Sequence, residues 1–127
     1  MNKVLLVFAG GGLGSVARYL VGMLTFRTFG PGLPYGTFAV NVIGGFIMGC
    51  LAGILALRGG ADQERWRVLI GVGVLGGFTT FSSFSLETAL MLERKEYGVA
   101  AGYVAGSVAL AVGALFMGLL AARRVFA

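Results

Sequence analysis

The 127-residue chain has no histidine, one cysteine, two prolines, one tryptophan and five acidic residues. Without imidazole it lacks the usual neutral metal ligand and the side chain best suited to proton transfer near neutral pH. The single thiol, Cys50, excludes a disulfide within the chain. Redox and transition-metal chemistry are therefore not expected. Charged residues make up only 12 % of the sequence, against about a quarter in soluble domains. Both prolines, Pro31 and Pro34, fall in one short stretch between apolar runs.

What the chain does have is apolar and small. Hydrophobic residues account for 57 % of it and the mean hydropathy is +0.91, which reads as a membrane protein. Glycine occurs 23 times with no Gly-X-Y repeat, which points to transmembrane helices approaching closely through small residues. Asn2 and Lys3 open the sequence, but no small-residue cleavage site closes a short apolar region, so no removable signal peptide is expected. The net charge of +5 comes from basic residues scattered at the ends of apolar segments. That distribution suits lipid headgroups and topology setting rather than nucleic acid.

Polar and charged breaks divide the chain into four segments: about Val4 to Leu24, Gly36 to Leu57, Val68 to Leu92 and Gly98 to Ala122. Each holds roughly 20 to 25 residues, enough at 1.5 Å per residue to cross a hydrocarbon core of about 30 Å. The expected fold is a single all-α transmembrane domain of four helices over residues 1–127. Its connections are Thr25 to Tyr35, Arg58 to Arg67 and Glu93 to Tyr97, with Tyr35, Trp66 and Tyr97 near segment ends as interfacial aromatics. An even number of spans puts both termini on one side. That side carries Lys3, Arg58, Arg65, Arg67, Arg123 and Arg124, against Arg27, Arg94 and Lys95, with Arg18 to be added to the second group if counted there. So weak a bias fits insertion in both orientations and also a modest preference for cytoplasmic termini.

The glycine patterns Gly12-x-Gly14-x-x-Ala17 and Gly71-x-Gly73-x-x-Gly76 imitate a dinucleotide fingerprint. A Rossmann site needs a preceding strand and a parallel sheet, for which a spanning segment leaves no room, so close helix packing is the expected role and no nucleotide is implied. The second segment repeats the device with Gly45, Gly49 and Gly53, and the fourth with Gly98, Gly102 and Gly106. Arg18 lies inside a spanning segment, where a guanidinium is costly. It either snorkels to headgroups or faces a water-filled vestibule that attracts anions. Asn41 shares a helix face with Thr37, four residues earlier, and must point into protein, either to bond a neighbouring helix or to line a site. Tyr103 and Ser107, also four apart, leave the same two readings open.

The third segment is the anomaly. From Gly76 to Glu87 it reads Gly-Gly-Phe-Thr-Thr-Phe-Ser-Ser-Phe-Ser-Leu-Glu, with five hydroxyls between Thr79 and Ser85. This composition predicts a helix broken near residues 76–80, which is tolerated at membrane depth only where protein or a polar cavity takes up the freed backbone groups. A homodimer would bring two copies of the break together, and antiparallel subunits would converge their carbonyls from Gly76 to Thr80 into a hard-oxygen cage for a cation. Phe81 and Phe84 fall on one face, and the electropositive edge of a phenyl ring can coordinate a small anion. Core packing is the commoner use of such a pair. Glu87, the only carboxylate well inside a segment, is a proton-coupling site, a vestibule group or a paired structural acid.

Gly76-Gly77-Phe78-Thr79-Thr80-Phe81-Ser82-Ser83-Phe84-Ser85 resembles the signature of the Fluc family of fluoride channels. Tyr35-Gly36-Thr37-Phe38-Ala39-Val40-Asn41 followed by Gly44-Gly45 is similar to that family's second-helix motif, and Arg18 matches its first-helix arginine. The likeness covers essentially the whole chain. It implies a dual-topology antiparallel homodimer in the bacterial inner membrane, with two passive fluoride pathways along the subunit interface. On the same resemblance Phe81, Phe84 and Asn41 match the aromatic box and its amide, Ser82 and Ser83 the hydroxyl track, and Thr37, Tyr103 and Ser107 further polar positions. Arg18 and Glu87 match vestibule residues, and the backbone carbonyls of Gly76 and Thr79 match a central structural sodium site. Ala111 stands where some relatives carry a further hydroxyl. No enzymatic activity is implied. Two rival readings are a proton-coupled exporter working through Glu87 and a non-transporting subunit docked through its glycine stripes.

Overall fold

Asn2 starts the first helix by accepting the Val4 N–H on its side-chain oxygen at 2.7 Å, satisfying one of the amides that every helix start leaves free. The computed structural model describes residues 2–126 and, among them, is helical apart from short connections. Helix α1 (Lys3–Phe29) is followed by α2 (Tyr35–Arg58). The third span is composite. A 3₁₀ turn (Gly60–Asp62) and α3 (Gln63–Trp66) lead into a wide π-helical stretch (Arg67–Leu75) and then α4 (Gly76–Phe78). After a break it resumes as α5 (Phe81–Glu93), and α6 (Tyr97–Phe126) completes the chain. Among the described residues four helical stretches are long and apolar enough to cross a membrane, Gly60–Glu93 being the third.

The helices are longer than hydropathy alone predicts. α1 continues through its polar end because the Thr25 hydroxyl bonds back to the Val21 and Gly22 carbonyls and that of Thr28 to Leu24, so neither leaves a polar group open. It stops at Gly30, whose φ of 79° only glycine takes readily, with its N–H on the Phe26 carbonyl. The expected loop from Arg58 to Arg67 is mostly helical, leaving Gly59 as the hinge between α2 and the third span.

Two seams hold the bundle. α2 packs along α6, and α1 packs along the π-helical stretch and α4. In the first, a Cβ at Gly49 would overlap the Leu115 carbonyl, and one at Gly118 would overlap the Phe46 carbonyl. In the second, a Cβ at Gly14 would overlap the Val74 carbonyl, and one at Gly10 would come within 2.6 Å of the Leu69 carbonyl. The glycine patterns in the first and third segments therefore serve packing, as expected. Backbones this close gain dispersion contacts, the main attraction left when lipid replaces water.

Buried apolar side chains among the described residues are few, including Leu6, Val40, Leu75, Phe78 and Met91, while Phe8, Leu13, Leu24, Phe116 and Val125 stand exposed. In water such a surface would aggregate; in a bilayer it is the lipid face. At one end Lys3 lies 3.9 Å from Glu64, which Arg67 pairs at 2.7 Å. At the same end of the four-span layout Arg58 donates to the Phe126 carbonyl at 3.2 Å. Both ends of the chain thus lie on one side, as four spans require. These contacts are exposed to screening by solvent and salt, so they mark the end of the bundle more than they stabilise it.

Candidate functional site

The break occupies only Thr79 (φ −84°, ψ 161°) and Thr80 (φ −152°, ψ 119°). The expected unwinding over residues 76–80 is therefore too wide, since Gly76, Gly77 and Phe78 remain helical. The reason lies in hydroxyls and not in the glycine pair. Both the N–H and the hydroxyl of Thr79 donate to the Leu75 carbonyl at 2.9 Å, closing the upstream helix. Gly77 is needed for contact, because a Cβ there would reach 2.5 Å from the Gly11 carbonyl of α1. The Thr80 hydroxyl then accepts the Ser83 N–H at 3.1 Å and caps α5.

Two side chains from other helices complete the junction. Asn41 of α2 grips Thr80 on both sides: its oxygen accepts the Thr80 N–H at 2.8 Å, and its nitrogen donates to the Thr80 carbonyl at 3.1 Å. Arg18 of α1 donates its Nε to the Gly77 carbonyl at 3.2 Å. Asn41 thus bonds a neighbouring span, one of the two readings open for it, and Arg18, expected at headgroups or in a vestibule, reaches the backbone of the third span. Arg18 also faces a groove of about 510 Å³ that it shares with Tyr19, Arg27, Thr37 and Thr80.

The expected site residues divide among several grooves. Asn41, Gly76, Thr79, Phe81, Phe84, Ser107 and Ala111 line one of about 390 Å³ beside the break. No charged side chain lines it. Phe81 and Phe84 meet at a ring separation of 5.6 Å, and Phe84 stacks in turn on Tyr103 at 5.2 Å, so the rings form a continuous row. Phe81 is 78 % exposed, so nothing in this chain covers its outer face. Ser107 is buried, and its hydroxyl has no hydrogen-bond partner among the described residues. Ser82 pairs with the Thr80 hydroxyl at 3.2 Å. Ser83, beside it, contributes its N–H to the cap.

Thr37 and Glu87 lie elsewhere, in an end groove of about 350 Å³ that also contains Arg94. Glu87 accepts from the Tyr103 hydroxyl at 3.1 Å. Tyr103 and Ser107, for which helix bonding and a polar track were both open, line different grooves: Ser107 the one beside the break, Tyr103 one it shares with Tyr35, Phe38 and Gly102. The sequence reading did not single out Thr80, whose N–H, carbonyl and hydroxyl are all engaged. Its position three residues before Ser83, at a helix start, is the cap signal that could have marked it.

Among the described residues no cluster of three or more histidine, cysteine or acidic side chains could hold a metal ion. The oxygens available near the break are backbone carbonyls. Those of Leu75, Gly77 and Thr80 are taken by Thr79, Arg18 and Asn41. Those of Gly76, Phe78 and Thr79 accept none of the hydrogen bonds that the described residues make around the break.

Four apolar spans, one of them broken beside an uncharged groove lined by amide, hydroxyl and phenyl side chains, define a multi-pass membrane protein. Residues 5–119 match the family model described as CrcB-like protein, Camphor Resistance. The chain belongs to that family. It is 68 % identical over all 127 residues, covering each chain completely, to the fluoride-specific ion channel FluC of Caulobacter vibrioides. It is equally similar, 68 % with complete coverage, to that of Phenylobacterium zucineum. The protein of the same name from Agrobacterium fabrum is 45 % identical over 99 % of this chain and 100 % of its own. The resemblance drawn from the motifs is thus borne out, and the family is one of channels, not enzymes.

Proposed function

We propose that the chain is a passive, fluoride-selective channel of the bacterial inner membrane, working as an antiparallel, dual-topology homodimer with two pathways at the subunit interface. The observation that carries this reading is the groove beside the break, where Asn41, Phe81, Phe84 and the unpartnered Ser107 hydroxyl meet with no charged side chain. The names of its relatives point the same way. Fluoride is small and strongly hydrated, so a path must replace its water with donors. Neutral donors and electropositive ring edges can do so without a fixed cation that would hold the ion too tightly. Asn41 spends one N–H on Thr80 and keeps the other for the ion. Ser82, Ser83 and Thr37 add hydroxyls, and Tyr103 borders the aromatic row. Arg18 and Glu87 face the wider ends, where Arg18 draws anions toward the entrance. The exposed ring of Phe81 and the open side of the groove are what a second copy would cover.

The free carbonyls of Gly76 and Thr79 fit a structural sodium ion, because hard oxygen donors suit such a cation and no side-chain charge is needed. Two copies of this pair would supply four oxygens on the dimer axis. An ion held there would tie the two breaks together. Fluoride then moves down its own electrochemical gradient. Hydrogen fluoride that has crossed the membrane and dissociated inside supplies the ion to be released.

Variants separate this channel from a Glu87-driven exporter. Phe81→Ile and Asn41→Asp are expected to lower fluoride efflux from liposomes by about tenfold or more, the loss of one ion contact of about 1.4 kcal/mol. Glu87→Gln should leave passive efflux within a few-fold of wild type. The opposite pattern, with transport abolished in Glu87→Gln and unaffected in Phe81→Ile, would establish the exporter instead.

A further inference from the structure

The break is open in two residues only, yet it is held from two helices that lie far from it in sequence. Asn41 and Arg18 each reach across to it. A trans peptide fixes the N–H and the carbonyl of one plane in opposite directions. The Thr80 N–H shares its plane with the Thr79 carbonyl. When Asn41 accepts that N–H at 2.8 Å, it aims the Thr79 carbonyl away from α2. Arg18 acts on the neighbouring stretch. By donating to the Gly77 carbonyl at 3.2 Å, it fixes the plane that follows the one carrying the Gly76 carbonyl.

The position of Arg18 depends on the α1 seam. Gly14, one turn earlier on the same face, brings α1 so close that its Cβ would overlap the Val74 carbonyl. Gly77 in turn meets Gly11 and Ser15, less tightly but still without room for a Cβ. Arg18 is therefore delivered to the break by the tightest helix contact in this part of the chain. Its Nε makes the backbone bond, and the same residue lines the groove of about 510 Å³. A lysine has one ammonium at the end of its stem and cannot occupy both places.

We infer that Arg18 and Asn41 are positioning residues for the cation site, bracing the broken backbone from opposite sides so that the Gly76 and Thr79 carbonyls stay turned toward the dimer axis. The inference rests on the sodium reading above and deepens it: the arginine that faces the anion entrance also sets the geometry of the cation oxygens. It predicts that conserving the charge of Arg18 does not conserve its function.

The test uses full-length protein purified without sodium, with N-methyl-glucamine as the replacement cation, and reads thermal unfolding in detergent as sodium is added. Wild type should gain thermal stability with a saturable sodium midpoint. Arg18→Lys and Asn41→Ser should each raise that midpoint by about tenfold, the effect of one lost hydrogen bond involving an ordered carbonyl or amide. High sodium should restore their unfolding temperature toward that of wild type. A sodium midpoint unchanged in Arg18→Lys, with flux lowered only in Arg18→Gln, would overturn the inference and leave Arg18 a simple vestibule charge. Variants that remain unfolded at every sodium concentration would also overturn it, because a brace of the site leaves the rest of the bundle able to fold. A wild type indifferent to sodium would reject the cation site itself and this inference with it.

Discussion

α2 and α6 each carry three glycines at four-residue spacing, and the two stripes meet opposite surroundings. Along Gly45, Gly49 and Gly53, α2 meets α6 so closely that an added Cβ would collide with the Ala111 or Leu115 carbonyl or the Ala122 side chain. Along Gly98, Gly102 and Gly106, no described residue beyond the helix's own adjacent turns lies within 4 Å of where a Cβ would be. Identical spacing is thus spent on an internal seam in one helix and left open in the other. The open stripe lies on the helix that also supplies the unpartnered Ser107 hydroxyl to the groove beside the break. Small residues bring helices together only where a partner exists. For the second stripe, that partner is the other subunit in the proposed dimer.

Substitutions turn this contrast into measurements. The largest effect is expected for Gly49→Val, which forces a side chain into the Leu115 backbone; overpacking of this kind costs about 1–3 kcal/mol or more. The yield of monodisperse, helical protein in detergent should fall sharply. The same change at Gly102 should leave helical content and recovery unchanged, and should lower only the dimer fraction seen by size exclusion or crosslinking. Equal losses of folded protein in both variants would erase the distinction between the stripes.

The smallest effect concerns the end of α5. There the Glu96 N–H bonds the Met91 carbonyl and the Lys95 N–H bonds that of Leu92, the two bonds of a Schellman cap. Lys95 occupies the left-handed position of this cap, with φ of 60°. Lys95→Gly should therefore stabilise the protein by about 1 kcal/mol, read as a small rise in unfolding temperature, without touching either stripe.

How much of this was legible in the sequence differs from residue to residue. The four spans follow from hydropathy and length, because lipid forces every backbone group to be satisfied within a helix. Hydropathy misplaced their ends. It scores Thr25 and Thr28 as polar, whereas their hydroxyls bond back onto α1, and it scores the charges from Arg58 to Arg67 as a loop although they sit on helical turns at the bundle's end. The break was legible in the polar run from Thr79, but its extent was not. Gly76 and Gly77 look like helix breakers, and only the proximity of α1 explains why Gly77 is there. The π-helical stretch Arg67–Leu75 has no sequence signature. It lies where α1 presses on Leu69, Gly73 and Val74, a tertiary contact that periodicity cannot encode. Asn41 was legible as an inward-facing amide. Its grip on Thr80, 39 residues away, required the fold.

The central claim is that the uncharged groove beside the break carries fluoride. Its most direct test is ion release from liposomes containing the purified wild-type protein, loaded in parallel with fluoride or chloride and read with ion-selective electrodes. The account predicts rapid fluoride release and chloride release no faster than from protein-free vesicles. Fluoride release at the protein-free rate, or equal release of both anions, would contradict it.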